Sequence, residues 1–315
     1  MLQRRVRHGL VAVDPAAAAH VRGLASFDGN WKRNRHPVRW KVWQVNQPAR
    51  VYDPNARRLV YYGQQADQSF WDEHWSGRLT EADIKRLNVD VVRWTKKFLP
   101  KGSKVLDAGC GTSHSVWSLR ESGFDAWGVD FAAETVDAVK AAVPELQVIQ
   151  GDVRALPFKD SSMDGIWSLG VIEHFPEGYG KIIDEMARVL RPGGYAFVTF
   201  PAMSPLRRMK AAVGAFPEFS GGFDGFYQFA LDPRAVSTDF EAKGFVLKVS
   251  APRGGLMGLK HEWRALRPLL QRFFDSRSRA VRLVRGGLNR LLSPFSFHTR
   301  LLVLQRPAGD GAASN

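Results

Sequence analysis

Apolar runs alternate with amphipathic segments through the middle of the chain. Five stretches between residues 104 and 201 have the length and apolar content of buried strands: KVLDAG, DAWGVD, LQVIQGD, DGIWSLG and YAFVTFP. Apolar residues at helical spacing mark three helices, at 113–122, 132–142 and 178–190. Buried strands separated by helices predict a doubly wound, mostly parallel α/β sheet whose ligand crevice lies at the carboxyl ends of the strands.

The flanking regions differ from this core in composition and hydrophobic pattern, and we divide the chain at these changes. Residues 1–79 form a basic and aromatic N-terminal extension, which we expect to be partly disordered although VRWKVWQV reads as a half-buried strand. Residues 80–306 form the main domain, with an insertion at 252–297 before a last strand at 299–306. The tail, 307–315, has no residues that would form a core and should be disordered. The arginine-rich first thirty residues are either a loose leader or a targeting segment.

Charge and cysteine content narrow the class of protein. The 315 residues carry a formal charge of +14, which favours acidic partners such as nucleic acid, anionic lipid or phosphorylated compounds. The single cysteine, Cys110, excludes an internal disulfide and fits a reducing compartment, so we expect a cytoplasmic protein. The chain contains no run of about 18 apolar residues, so the sequence predicts no membrane-spanning helix.

A glycine turn and three acidic strand ends suggest a nucleoside ligand. Gly109 and Gly111 follow the first strand of the main domain and allow a ligand to approach the main chain. The third glycine of a dinucleotide fingerprint is absent, which favours a ligand without phosphates. Asp107, Asp130 and Asp152 end successive strands, where they suit an ammonium group, a ribose and an adenine amine. Isolated aspartates at such positions can also be helix caps.

These segments together resemble the class I S-adenosylmethionine (SAM) dependent methyltransferases, with a Rossmann-like, type 11-like core. VLDAGCGTS, WGVDF, GDVRALPF, MDGIWSLGVIEHF and EMARVLRPGGYAFVTFP are similar to their motifs, in order, over about a hundred residues. Ser113 stands where many members have a third glycine. The resemblance implies SAM as the cofactor and a seven-stranded sheet ending in a reversed hairpin, formed here by 245–251 and 299–306. The cofactor-binding residues that it implies are Asp107, Gly109, Gly111, Asp130, Phe131, Asp152, Val153, Ser168 and Leu169.

His174, in VIEHF, is the candidate catalytic base because it follows the fourth strand of the core, at the mouth of the crevice. Imidazole titrates close to neutral pH, and a base is needed when the acceptor is a hydroxyl. The alternative is that His174 orders its loop or contacts the cofactor. Tyr62 and Trp71 could form a flap over the cofactor or be plain core. No metal site is expected.

Two regions should select the acceptor. The aromatic, glycine-jointed segment 202–230 predicts either a substrate lid, with Phe216, Phe223, Phe226 and Tyr227, or a loop packed on the sheet edge. The insertion predicts two basic amphipathic helices, which either pack their apolar stripes on the sheet or attach the protein to an anionic membrane through 260–292. We therefore expect methyl transfer to an oxygen of a small-molecule or lipid- or glycan-linked acceptor. An RNA methyltransferase, binding nucleic acid, or a non-catalytic SAM-binding scaffold are the alternatives.

Overall fold

The computed structural model describes residues 49–75, 79–276 and 278–308. The strand predicted in VRWKVWQV and most of the N-terminal tryptophans lie outside these residues. The strands are β1 (Ala49–Asp53), β2 (Arg58–Tyr62), β3 (Lys104–Ala108), β4 (Asp125–Asp130), β5 (Gln147–Gln150), β6 (Met163–Leu169), β7 (Leu190–Pro201), β8 (Phe226–Ala230), β9 (Val246–Arg253) and β10 (Thr299–Gln305). The helices are α1 (Gln68–Trp75), α2 (Glu81–Ile84), α3 (Val89–Phe98), α4 (His114–Glu121), α5 (Ala133–Ala142), α6 (Gly180–Val189), α7 (Pro205–Ala212), α8 (Pro233–Ala242), α9 (Gly255–Glu262), α10 (Arg267–Asp275) and α11 (Arg279–Ser296).

A seven-stranded sheet confirms the predicted fold class. Its order is β5-β4-β3-β6-β7-β10-β9, and only β10 runs antiparallel to its neighbours. The predicted reversed hairpin is therefore formed by β9 and β10. All parallel strands end at one edge, which gathers the turns after β3, β4, β5 and β6 into a single crevice.

Both faces of this sheet are covered, as its continuous apolar strands require. Leu106 and Ile166 pack in a core on one face, and Val105 and Trp167 pack in a second core on the other. The indole nitrogen of Trp167 donates to the hydroxyl of Thr95, 2.9 Å away, which fastens α3 to the sheet.

The segment 80–98 contains two helices, α2 and α3. Thr80 and Asp83 form a capping box at the start of α2. Asn88 then begins α3 by accepting the amide hydrogen of Val91 with its side chain, so its polar cap competes with continuation of the first helix.

A second, three-stranded sheet includes part of the segment 202–230, which the sequence predicts to be a lid or a packed loop. β1 and β2 form a hairpin, and β2 pairs with β8 from the segment expected to be a loop. The described residues from Ala49 onward thus belong to one compact unit. The reason is physical: the apolar side chains of β8 pair with a hairpin whose own apolar face needs cover.

The insertion is tied to the main domain by a buried group of charges. Glu262, at the end of α9, accepts hydrogen bonds from Arg207, Lys210 and Arg50 at 2.8–2.9 Å. Burial alone would raise the pKa of Glu262, but Arg207 and Arg50 hold that pKa down to about 2. The carboxylate therefore stays charged and bridges α7, α9 and the β1 strand. Within the described residues, no helix has both the length and the apolar content of a membrane span.

Close contact between α9 and α11 depends on glycine. A Cβ added at Gly258 would lie 1.7 Å from the carbonyl oxygen of Ser296, whereas one added at Gly287 would meet nothing within 4 Å. We expect Gly258→Ala to lower the free energy of unfolding by about 1–3 kcal/mol, because the helices must separate. Gly287→Ala, the matched control, should keep or raise stability by about 0.5–1 kcal/mol. Urea unfolding measures both; equal stability of the two variants would contradict the packing.

Candidate active site

The turn after β3 adopts a shape that only glycine accommodates readily. Gly109 has φ +87° and Gly111 has φ +47°. A Cβ at Gly109 would come within 2.5 Å of the Val171 side chain, which lies on the turn after β6. The amides of Gly109 and Cys110 donate to the carbonyl of Val129 at 2.7 and 3.0 Å, so the turn is held against the end of β4.

Asp130 ends β4 and fastens this turn. One carboxylate oxygen accepts the amide hydrogen of Gly111 at 2.7 Å, and the other accepts that of Ala132 at 3.0 Å. Burial raises the pKa of Asp130, and these hydrogen bonds oppose the rise. A carboxylate offers about four lone-pair positions, so each oxygen can still accept one hydroxyl hydrogen. This geometry suits a ribose with two adjacent hydroxyls.

Asp107 is a buried acid that lacks a partner on one oxygen. Its side chain is 1% exposed, and its Oδ1 has no hydrogen-bond partner in the protein. Burial, with a smaller effect from Asp130, raises the pKa of Asp107 to about 8. The hydroxyl of Ser168, at the end of β6, is also buried without a partner. Because unpaired buried polar atoms are costly, these two point to a polar ligand, and an ammonium group would satisfy Asp107.

On the side predicted to bind adenine, the candidate carboxylate already has a partner. Val153 is buried, Phe131 is 39% exposed and Leu169 is half-buried beside the crevice. Both oxygens of Asp152 accept hydrogen bonds from the guanidinium of Arg154, and these bonds hold the pKa of Asp152 below its usual range. An adenine amine would therefore share this carboxylate with Arg154. In the sequence GDVR the arginine follows the aspartate by two residues, and this spacing could have indicated the pair before the structure was seen.

His174 lies in a 3-10 turn, Ile172–His174, directly after β6. Its Nδ1 is 2.8 Å from the carbonyl oxygen of Tyr227 in β8. Because a carbonyl oxygen only accepts, Nδ1 carries the hydrogen, and Nε2 is the basic nitrogen of the neutral ring. The imidazole packs edge-on against Trp71 and Tyr227, with centroids 5.1 and 5.2 Å away. The structure thus places the candidate base in an aromatic wall.

Helix α1 crosses the mouth of the crevice. Asp72 accepts the amide hydrogen of Glu134, which follows the end of β4, while Trp71 reaches His174. Phe70 packs against Tyr227 at 5.7 Å. The tyrosine of the predicted flap, Tyr62, donates to the carbonyl of Gly222. Trp71 therefore has the covering position expected of a flap, and Asp72 and Phe70 are neighbours that the sequence did not single out.

The four residues predicted as a substrate lid are all at least half-buried in the structure. Phe226 and Tyr227 belong to β8, and Phe226 and Phe216 are buried. Phe223 is half-buried and packs edge-on against Phe226, 5.5 Å away. The packed-loop alternative describes Phe216, Phe223 and Phe226, because these rings cover the hairpin and the sheet edge. Of the four, Tyr227 contacts the candidate base.

Glu173 is a site residue that sequence reasoning did not assign. It is 2% exposed, its Oε2 has no hydrogen-bond partner, and burial raises its pKa to about 8. Burial, and then the charge of Glu173, raise the pKa of Tyr227 to about 12. Both groups therefore hold their protons at neutral pH and can act as donors at this edge. Among the described residues, no group of three or more potential ligand side chains is arranged to hold a metal ion.

Comparisons with known proteins agree with this geometry. A family model described as a methyltransferase domain matches residues 106–198. Demethylmenaquinone methyltransferase from Beutenbergia cavernae is 32% identical over 198 residues, which are 58% of this chain and 77% of that protein. Methyltransferase GfsG from Streptomyces halstedii is 31% identical over 144 residues, which are 43% of this chain and 48% of that protein.

A solved structure has the same fold. It is a chain of the complex between the Haloferax volcanii Trm112 methyltransferase activator and a methyltransferase, with a TM-score of 0.50 and 18% identity. The match covers 75% of this chain and 97% of that one. This chain spans about half the length of GfsG and a larger share of the Beutenbergia protein. The chain belongs to the class I SAM-dependent methyltransferases, and its cofactor is SAM.

The raised pKa of Asp107 predicts proton release when SAM binds. Below about pH 8 the acid is mostly neutral, and an ammonium partner favours the ionised form. We expect calorimetry at pH 7, in buffers of different ionisation enthalpy, to show a proton released by the wild-type protein. Asp107→Asn should lose that proton and weaken binding roughly tenfold to a hundredfold. The exposed Asp137→Asn is the control; unchanged proton release in Asp107→Asn would contradict the assignment.

Proposed function

We propose that this enzyme transfers the methyl group of SAM to a hydroxyl oxygen of a small-molecule or lipid- or glycan-linked acceptor. The observation that carries the proposal is the hydrogen bond from His174 Nδ1 to the carbonyl of Tyr227. It fixes the tautomer whose Nε2 can take a proton, beside the strand end where the crevice opens.

The cofactor's binding is assigned to groups that the fold already holds in place. Bound SAM supplies a methyl group on a positively charged sulfur, so the leaving group departs as a neutral thioether. Asp130 would accept the ribose hydroxyls and Asp107 the ammonium, while the glycine turn leaves room for the methionine part. Fixing two reactants in line can contribute about 7–11 kcal/mol to lowering a barrier.

His174 would supply the acid–base step. As the acceptor oxygen forms its bond to the methyl carbon and the carbon–sulfur bond breaks, the hydroxyl proton passes to Nε2. The Tyr227 carbonyl, still accepting from Nδ1, stabilises the resulting imidazolium. Packing of His174 between Trp71 and Tyr227 would limit the access of bulk water to the methyl group.

The surroundings of His174 support an acceptor with an apolar body. Phe70, Trp71 and Tyr227 form its near wall, and none of them carries charge at neutral pH. The relative named demethylmenaquinone methyltransferase is, by its name, an enzyme acting on a quinone. A splayed RNA base could also stack on such rings, but these aromatics cluster around one histidine and do not line a basic groove.

Two variants of His174 separate the base from an ordering role. His174→Ala should lower turnover by about 10²–10⁴-fold while SAM affinity, measured by calorimetry, stays unchanged. His174→Asn keeps an N–H donor near the position of Nδ1 for the Tyr227 carbonyl but cannot take a proton, so it should be as slow as His174→Ala. If His174→Asn turns over at the wild-type rate, the residue orders the loop and is not the base.

The acceptor class is tested by incubating the enzyme with methyl-labelled SAM and a cell extract, then separating lipid, small-metabolite, RNA and protein fractions. We expect label in the lipid or small-metabolite fraction. Label in the RNA fraction would replace the proposed acceptor with RNA. SAM binding without label in any fraction would support the non-catalytic scaffold.

A further inference from the structure

Helix α11 turns its apolar side to solvent. Val284, Leu288, Leu291 and Phe295 recur at the spacing of one helical face, and all four are exposed, as is Leu283 beside them. Leu283 and Leu291 are 78% and 73% exposed. We call these five residues the outer face of α11. The sequence left open whether such a stripe packs on the sheet, and in the structure it does not.

The opposite side of α11 is polar and faces the protein. Asn289 accepts the amide hydrogen of Leu256, and Ser293 accepts that of Gly255. Ser296 donates to the carbonyl of Gly255 at 2.8 Å. Amphipathic helices of globular proteins normally bury the apolar side, so this orientation is inverted.

Tight packing holds the inverted orientation in place. The missing side chains of Gly255 and Gly258 let α9 approach the backbone of α11 at Ser293 and Ser296. Arg285, one turn before Asn289, donates to the carbonyl of Phe274 and fixes α10 to the same side. Rolling the outer face inward would break these hydrogen bonds and bring backbone atoms into collision.

The surroundings of the outer face are strongly basic. Eight arginines lie between residues 264 and 290, and Asp275 is the single acid in that span. Arg279, Arg282 and Arg290 of α11 are exposed. Trp263, at the end of α9, is 57% exposed, and tryptophan is enriched where proteins meet the polar region of a bilayer.

The sheet topology places the insertion at the edge of the sheet where the candidate active site lies. β9 runs parallel to β7, because each is antiparallel to β10 between them. The insertion leaves β9 at Arg253 and returns at Thr299, so both of its ends lie at the edge where β3, β4 and β6 end. Helix α7 contacts α11 and exposes Met209, and Val213, directly after α7, is also exposed.

We propose that the outer face of α11, with its surrounding arginines, docks the enzyme on an anionic membrane surface. Exposed leucines and a phenylalanine enter the acyl boundary while arginines pair with anionic headgroups. The charge distribution favours lipid over a second copy of this chain, because two copies would bring their arginines together. The outer face favours lipid over RNA, because its valine and leucine side chains neither pair with phosphates nor stack on bases. The inference goes beyond the proposed function and does not depend on the acceptor atom.

Vesicle co-sedimentation of the full chain tests the docking. The probe is phosphatidylcholine vesicles with or without phosphatidylglycerol, at two salt concentrations. We expect Leu288→Gln/Leu291→Gln to weaken binding to the anionic vesicles by about tenfold for each leucine that enters the bilayer boundary. The control, Leu87→Gln/Val89→Gln, changes two exposed apolar residues outside the insertion and should bind as the wild type does.

The decisive comparison is between the wild type and the double variant, because the basic N-terminal extension could itself bind anionic vesicles. SAM affinity measured in parallel reports whether the variant still folds and separates failed docking from a failed cofactor site. Equal vesicle binding by the wild type and Leu288→Gln/Leu291→Gln would overturn the proposal. The proposal would also be overturned if the wild type were a dimer and the double variant a monomer. The same holds if the wild type bound a homopolymeric RNA and the double variant, but not the control, bound it more weakly.

Discussion

The hydrogen bond between the Gly111 amide and the Asp130 carboxylate is the constraint on which the site depends. It joins the turn after β3 to the end of β4, and the amides of Gly109 and Cys110 add two bonds to Val129. The turn is thereby held open with its backbone facing the crevice. The same carboxylate keeps lone pairs for a ligand, so one group both shapes the turn and binds.

Buried carboxyls at this edge explain why the crevice suits a cation. Asp107 and Glu173 are almost fully buried, each has an oxygen without a partner, and burial raises the pKa of each to about 8. Asp130 lies close enough to Asp107 to raise its pKa further. A bound ammonium or sulfonium favours the ionised form of these acids and is attracted by it, whereas a pyrophosphate would favour the neutral form and gain no such attraction. The cost of burying these groups is offset when a cationic cofactor binds.

Local patterns predicted the sheet well because each signal was short-range. Apolar runs gave the strands of the core, and the glycines and acids between them marked the crevice. The pairing of β8 with the β1–β2 hairpin was not predicted, because it joins residues more than 160 positions apart. Nothing in the local sequences YYG and GFYQFA indicates that the two segments pair. The Asp152–Arg154 pair was missed because an acid at a strand end looks the same whether it is free or already paired. For α11 the periodicity was correct, but periodicity does not say which side of a helix faces inward.

The most direct test of the cofactor assignment is a crystal structure of the protein with S-adenosylhomocysteine bound. We expect both ribose hydroxyls to lie on the carboxylate of Asp130 and the amino group to lie within hydrogen-bond distance of Asp107 Oδ1. The homocysteine chain should pass over Gly109 and Gly111, with its sulfur open toward His174. An adenosine bound away from the ends of β3 and β4, or an amino group that leaves Asp107 without a partner, would contradict the assignment.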